Sequence, residues 1–350
     1  MFQRILVPLD GSTRAERAIP VAARLAHASG GLVILMRVMN KSSRLWPSMA
    51  LRTTLAQRAI DNELAEVEQY LSAIANSADL EGIPTETEAR FGPTVSSILV
   101  VADATQADLI VLCSHGYTGM TRRIMGSVAE RLAREASVPV LVLRDEGSVP
   151  GELSADSARP LRILVPLDGS AQAKSALEPA AFLAAALAGP ASSVLHLLRV
   201  VQPVNTSLEE GGMLTASEKA RRYLSSTADH IRDGFVAPAV ARFGLGVTWS
   251  VAVDTYVAES LVRIAENAET VEGFDEGLSG CNVIALATHG RDGLQRLVIG
   301  SVTERILPGT KLPLLIVPPR SQNIPIKREQ TEEGKRGNRE WSWTSTFSPV

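Results

Sequence analysis

The hydrophobic pattern changes period repeatedly along the first half of the chain. Arg4 to Leu9 is a short β-branched and leucine run, Arg14 to Ser29 repeats alanine and leucine at helical spacing, and Leu32 to Val38 is apolar nearly throughout. Gly30-Gly31 breaks the second segment from the third. From about Thr54 to Ala78 the apolar positions Leu64, Val67, Tyr70, Leu71 and Ile74 fall on one helical face. Thr85 to Phe91 then alternates like a strand, Val95 to Ala104 is helical, and Leu109 to Cys113 and Val138 to Leu143 are buried-strand runs flanking a helix from Ser127 to Glu135. Five strands and four helices are expected. Apolar strands separated by helices predict a parallel sheet covered on both faces, a doubly wound α/β sandwich.

The pattern is written twice. Ile5-Leu6-Val7-Pro8-Leu9-Asp10-Gly11-Ser12 returns unchanged from Ile163 to Ser170, Ser114-His115-Gly116-Tyr117-Thr118-Gly119 matches Thr288-His289-Gly290-Arg291-Asp292-Gly293, and Gly126-Ser127-Val128 matches Gly300-Ser301-Val302. The offset is 158 residues at the first match and 174 at the other two, so the second copy has gained residues between them. Gly189-Pro190 and the stretch from Glu269 to Gly280 are the expected places. A period this long means duplicated domains rather than a solenoid. The expected organisation is a domain over 1–146, a linker over 147–160, a second domain over 161–319 and a polar, disordered tail over 320–350.

Composition narrows the function classes. A formal net charge of −3 provides no broad positive field for a nucleic-acid backbone. No apolar stretch approaches the roughly 20 residues that span a bilayer, and the N-terminal residues run straight into a strand pattern with no export signal. Cys113 and Cys281 occupy non-equivalent positions of the repeat, so they are expected to be small buried hydrophobes rather than a disulfide or shared metal site. A cytoplasmic protein is the expectation, without nucleic-acid or membrane partners.

The candidate chemistry lies where strands end. Ligands of open parallel sheets bind beyond the carboxyl ends of the strands, at the point where strand order reverses. Asp10-Gly11-Ser12 follows the first strand, and the loop holding Gly116, Gly119 and Gly126 follows the fourth. Glycines let backbone amides approach phosphate oxygens, and Gly126-Ser127 opens a helix whose first N–H groups attract an anion. Asp10 and Asp168 are candidates for ligand contact and equally for helix caps. Arg122, Arg123 and Arg296 lie between the glycines as candidates for phosphate contact, and His115 and His289 lack an evident catalytic companion. Neither the common phosphate loop nor the G-x-G-x-x-G fingerprint is present.

Asp after the first strand, with G-x-x-G-x-x-x-x-x-x-G-S after the fourth, resembles the ATP-binding branch of the universal stress protein family in tandem form. The resemblance covers both copies, and it implies two five-stranded domains of the adenine nucleotide hydrolase-like α/β type. It implies that Asp10 and the backbone at Val38 hold the adenine and its surroundings, with Gly116, Gly119, Gly126 and Ser127 around ribose and phosphates. In the second copy the set is Asp168, Val200, Gly290, Gly293, Gly300 and Ser301. The implied ligand is ATP, with or without Mg2+, while AMP or another adenine nucleotide stays open. A nucleotide-responsive binding module in stress or dormancy is expected, the alternatives being a slow ATP-hydrolysing or adenylyl-transferring enzyme and a scaffold with vestigial sites. The last strands of the two copies are expected to pair within the chain, and a further homodimer stays open.

Overall fold

The computed structural model describes residues 1–39, 54–114, 125–144, 160–188, 193–203, 210–267, 280–288 and 300–318. In the first half β1 (Arg4–Leu9), α1 (Thr13–Glu16), α2 (Ala18–Ser29), β2 (Leu32–Met39), α3 (Thr54–Ala75), β3 (Thr85–Phe91), α4 (Thr94–Ala104), β4 (Leu109–Cys113), α5 (Ser127–Glu135) and β5 (Val140–Leu143) follow in order. The second half repeats this as β6 (Leu161–Pro166), α6 (Ala171–Lys174), α7 (Leu177–Ala188), β7 (Ser193–Val201), α8 (Glu210–Arg232), α9 (Pro238–Phe243), β8 (Gly246–Val253), α10 (Val257–Asn267), β9 (Val283–Ala287), α11 (Ser301–Gly309) and β10 (Leu314–Val317). The tail from 319 lies outside the described residues.

All ten strands form one sheet in the order β3-β2-β1-β4-β5-β10-β9-β6-β7-β8. Within each half the pairs are parallel, and β5 meets β10 antiparallel, so the two final strands join the halves edge to edge. The join buries two apolar edges that would otherwise invite foreign strands. One core layer lies between the sheet and α2, α3, α7, α8 and α9, and the other beneath α4, α5, α10 and α11. Each layer runs through both halves. Across the join Phe2 meets Phe182 edge-on at 6.3 Å, and Arg24 donates to the Leu187 carbonyl at 2.9 Å.

Register locates the extra residues of the second copy. Ile5 and Val33 pair as Ile163 and Leu195 do, raising the offset from 158 to 162, and it is still 162 between Thr85 and Val247. Between Leu109 and Val283 it is 174. Four residues therefore entered between β6 and β7 and twelve between β8 and β9, the intervals holding Gly189-Pro190 and Glu269 to Gly280.

Several boundaries differ from expectation. The helix expected from Arg14 to Ser29 is two, because Arg17 closes α1 and its N–H is shared between the Ala15 and Arg14 carbonyls. The helix expected to reach Ala78 ends at Ala75, and Ala78–Leu80 turns as a separate 3-10 segment that buries Leu80. The last strand of the first half begins at Val140, not at Val138, and its counterpart at Leu314, since Pro139 and Pro313 have no N–H for a ladder and contribute only carbonyls, to Ile110 and Ile284.

Candidate functional site

The end of β1 is a braced helix start. The N–H and hydroxyl of Ser12 both donate to Asp10 Oδ1, at 2.9 and 2.6 Å, while Ser12 Oγ accepts from Ala15 N–H at 3.2 Å and so caps α1. The second half repeats the device: Ser170 N–H donates to Asp168 Oδ1 at 2.8 Å, and Ser170 Oγ accepts from Ala173 N–H at 3.1 Å. Of the two roles open to Asp10 and Asp168, capping belongs instead to the serines. The aspartates hold the serines in place and stay exposed at the sheet's carboxyl edge.

Between each aspartate and serine is a glycine that the geometry requires. Gly11 has φ 87° and Gly169 φ 96°, and a Cβ on Gly11 would lie 2.9 Å from the Arg37 guanidinium carbon. Arg199 stands against Gly169 in the same way, with Nη1 at 3.3 Å. Arg37 lies over the Tyr70 ring at 5.0 Å and Arg199 over Tyr223 at 5.2 Å. Tyr70 donates to Glu16 at 2.8 Å; burial, reinforced by this carboxylate, pushes its hydroxyl well above the usual phenol range. Lys174, at Glu16's place in the repeat, instead lies over the Tyr223 ring at 5.2 Å. These arginine–tyrosine pairs were not found from the sequence; the repeated Arg-Val of Met36-Arg37-Val38 and Leu198-Arg199-Val200 was their only trace.

Val38 and Val200 lie within β2 and β7 and pack on the α4–α5 and α10–α11 side, the core layer opposite that of α2, α3, α7 and α8. On that same side α5 and α11 begin. Gly126 and Gly300 precede the helices in extended conformation and, among the described residues, neither helix start has a side-chain cap, so the first-turn N–H groups are open with Ser127 and Ser301 exposed beside them. Gly126 N–H donates to the Ser114 carbonyl at 2.7 Å, which ties the helix start to the end of β4.

A cleft of about 440 Å³ opens there, lined by Gly92, Pro93, Thr94, Val95, Ser127, Val128 and Arg131. It brings the starts of α4 and α5 together, with Arg131 as its charged lining residue. Gly92 was not singled out from the sequence; its φ of 148° leaves little alternative. Its equivalent in the second half is Asp254, which accepts from Tyr256 N–H and from Arg263, both at 2.9 Å; these bonds hold its carboxyl below the usual range. Gly116, Gly119, Gly290, Gly293, His115, His289, Arg122, Arg123 and Arg296 lie outside the described residues. Among the described residues no three His, Cys, Asp or Glu side chains form a metal-binding group, and no helix is long and apolar enough to cross a membrane. Cys281 is buried just before β9, its thiol pushed up to about 12 by desolvation, and Cys113 is half-buried at the end of β4.

Comparison with known proteins gives one consistent result. The model of the universal stress protein family matches residues 1–144 and 161–318. A universal stress protein of Mycolicibacterium smegmatis is 24% identical over 320 residues, covering 90% of this chain and 97% of its own. One from Mycobacterium tuberculosis is 23% identical over 315 residues, 89% and 96% of the two chains. The crystal structure of a universal stress protein from Archaeoglobus fulgidus shares the fold, with a TM-score of 0.60 at 18% identity over 91% of this chain and 99% of that one.

Proposed function

We propose, for a chain that belongs to the universal stress protein family in both of its halves, that each half binds an adenine nucleotide at the carboxyl edge of its strands. The observation that carries this reading is the pair of uncapped helix starts, Gly126-Ser127 and Gly300-Ser301, each opening on the face of the sheet where Val38 or Val200 lies. First-turn N–H groups and the serine hydroxyl bind phosphate oxygens, and the absence of a Cβ at Gly126 and Gly300 lets the phosphates reach the backbone. Asp10 and Asp168, held by Ser12 and Ser170, face the base and ribose. ATP is the ligand of first choice, taken with or without Mg2+, and AMP competes for the same groups.

The protein acts in this reading as a nucleotide-responsive binding module of the cytoplasm, serving stress survival or dormancy. Isothermal titration with ATP and AMP tests it: saturable binding in the wild type, weakened by Gly126→Val or Gly300→Val alone and lost in the double variant, is the expected result. No heat of binding at millimolar ATP would favour a scaffold with vestigial sites. Steady phosphate release that the same substitutions abolish would favour the enzymatic reading.

A further inference from the structure

Among the described residues the ten-stranded sheet ends in β3 and β8, at equivalent places in the two halves but differently built. β3 carries Glu86, Glu88 and Arg90, all three in ion pairs, Arg4 with Glu86 at 3.1 Å and Arg90 with Glu88 at 3.0 Å. Charges along an edge oppose the addition of a foreign strand. The register puts Thr248, Ser250 and Ala252 where β3 has Glu86, Glu88 and Arg90, and β8 has no charged residue. The second half has no such charges on the strand itself.

The direction of the β8 backbone follows from its bonds to β7. Asp254 N–H donates to the Val201 carbonyl at 3.1 Å, and alternate residues of a parallel strand bond to the same neighbour. Val247, Trp249, Val251 and Val253 therefore turn their N–H and C=O groups away from the sheet. Arg232 confirms the direction by taking the outward Val247 carbonyl at 2.9 Å. Apolar side chains flank both ends of this edge: Phe235 (81% exposed) before β8, Val253 (48%) and Tyr256 (64%) at and after its end, while Phe243 turns back onto Phe182 at 5.3 Å. Phe235, Val253 and Tyr256 are three of the six large apolar side chains exposed among the described residues.

We propose that β8 pairs antiparallel with β8 of a second copy of this chain, Trp249 of one copy opposite Val251 of the other, so that two sheets become one. A two-fold axis through such a pair brings the Phe235 end of each strand against the Val253 and Tyr256 end of the other, and both are covered at once. Within the chain β5 and β10 already join two edges in the same antiparallel way. The β3 edge, with its three charges, stays free.

Sedimentation velocity on the full chain tests this. The wild type is expected to run at twice the chain mass at micromolar concentration, and Val253→Lys with Tyr256→Glu, which alter exposed side chains only, to run at the single-chain mass with an unchanged circular dichroism spectrum. Glu86→Gln on the β3 edge is expected to remain a dimer. Hydrogen exchange on the wild type is an independent readout, because the Trp249, Val251 and Val253 amides should exchange more slowly as protein concentration rises. A wild type that stays a single chain throughout the micromolar range overturns the proposal. So does a dimer indifferent to the substitutions whose β8 amides exchange at a rate independent of concentration.

Discussion

Leu141 lies directly opposite Leu315 at the centre of the antiparallel join, and each is the other's equivalent in the repeat, 174 residues apart. Val140 faces Ile316 and Val142 faces Leu314, so a local two-fold axis passes between the two leucines. Both are fully buried. A duplicated chain thereby closes within itself the apolar edge that a single copy would expose.

Because the leucines share one environment, Leu141→Ala and Leu315→Ala are expected to cost about 3 kcal/mol each and to agree within about 1 kcal/mol. The shared sheet also predicts one unfolding transition. Urea unfolding followed by circular dichroism and by tryptophan fluorescence checks both statements; separate transitions in the wild type would show that the halves are independent.

Much of this was legible in the sequence. β1, β3, β4 and α5 have the bounds that periodicity gives, and the two places chosen for the inserted residues are those the register identifies, because strands and helices leave a periodic apolar signal. Arg37 over Gly11 left no such signal. The contact depends on how far β2 runs beside β1 and on where Tyr70 of α3 lands, which are properties of packing. The Leu141–Leu315 register was invisible for the same reason: two apolar strands specify that they pair, but only the meeting of the halves says which residues oppose. The break at Arg17 escaped since helical periodicity continues across it.

At the β1 loop, stability and binding can be separated. Ser12→Ala removes the cap of α1, and Ser170→Ala that of α6, at an expected cost of about 1 kcal/mol each. Asp10→Asn keeps an acceptor oxygen for the Ser12 N–H, so its melting temperature should stay near that of the wild type. A fall in ATP affinity in Asp10→Asn at unchanged melting temperature would then report a contact with the ligand.

His196 is buried between hydroxyls, Nδ1 at 2.8 Å from Thr248 Oγ1 and Nε2 at 2.8 Å from Ser250 Oγ. Desolvation, helped by the Arg162 charge, lowers its pKa from 6.5 to about 3. The unfolded chain binds the proton more readily, so the stabilising effect is full above pH 6.5 and is lost as the pH falls from 6.5 towards 3. At pH 5 the loss is about 2 kcal/mol. His196→Asn should remove this part of the slope in urea midpoints measured between pH 7 and 5; an unchanged slope would contradict the assignment.

The two sites should also differ. Asp254, ion-paired with Arg263, places a side chain where Gly92 leaves the first-half cleft open, and a filled cleft leaves less room for an entering phosphate. The first half is expected to bind ATP more tightly, by about fivefold or on the order of 1 kcal/mol. Calorimetry on single-site proteins decides it: Gly300→Val should retain the tighter site and Gly126→Val the weaker, and equal constants would contradict the prediction.

Nucleotide occupancy tests the central claim most directly. Freshly purified protein is denatured and the released small molecules are identified by mass spectrometry, beside the Gly126→Val, Gly300→Val double variant handled identically. The expected result is an adenine nucleotide from the wild type and none from the double variant. Release of no adenine nucleotide from the wild type, or of equal amounts from both proteins, would contradict it.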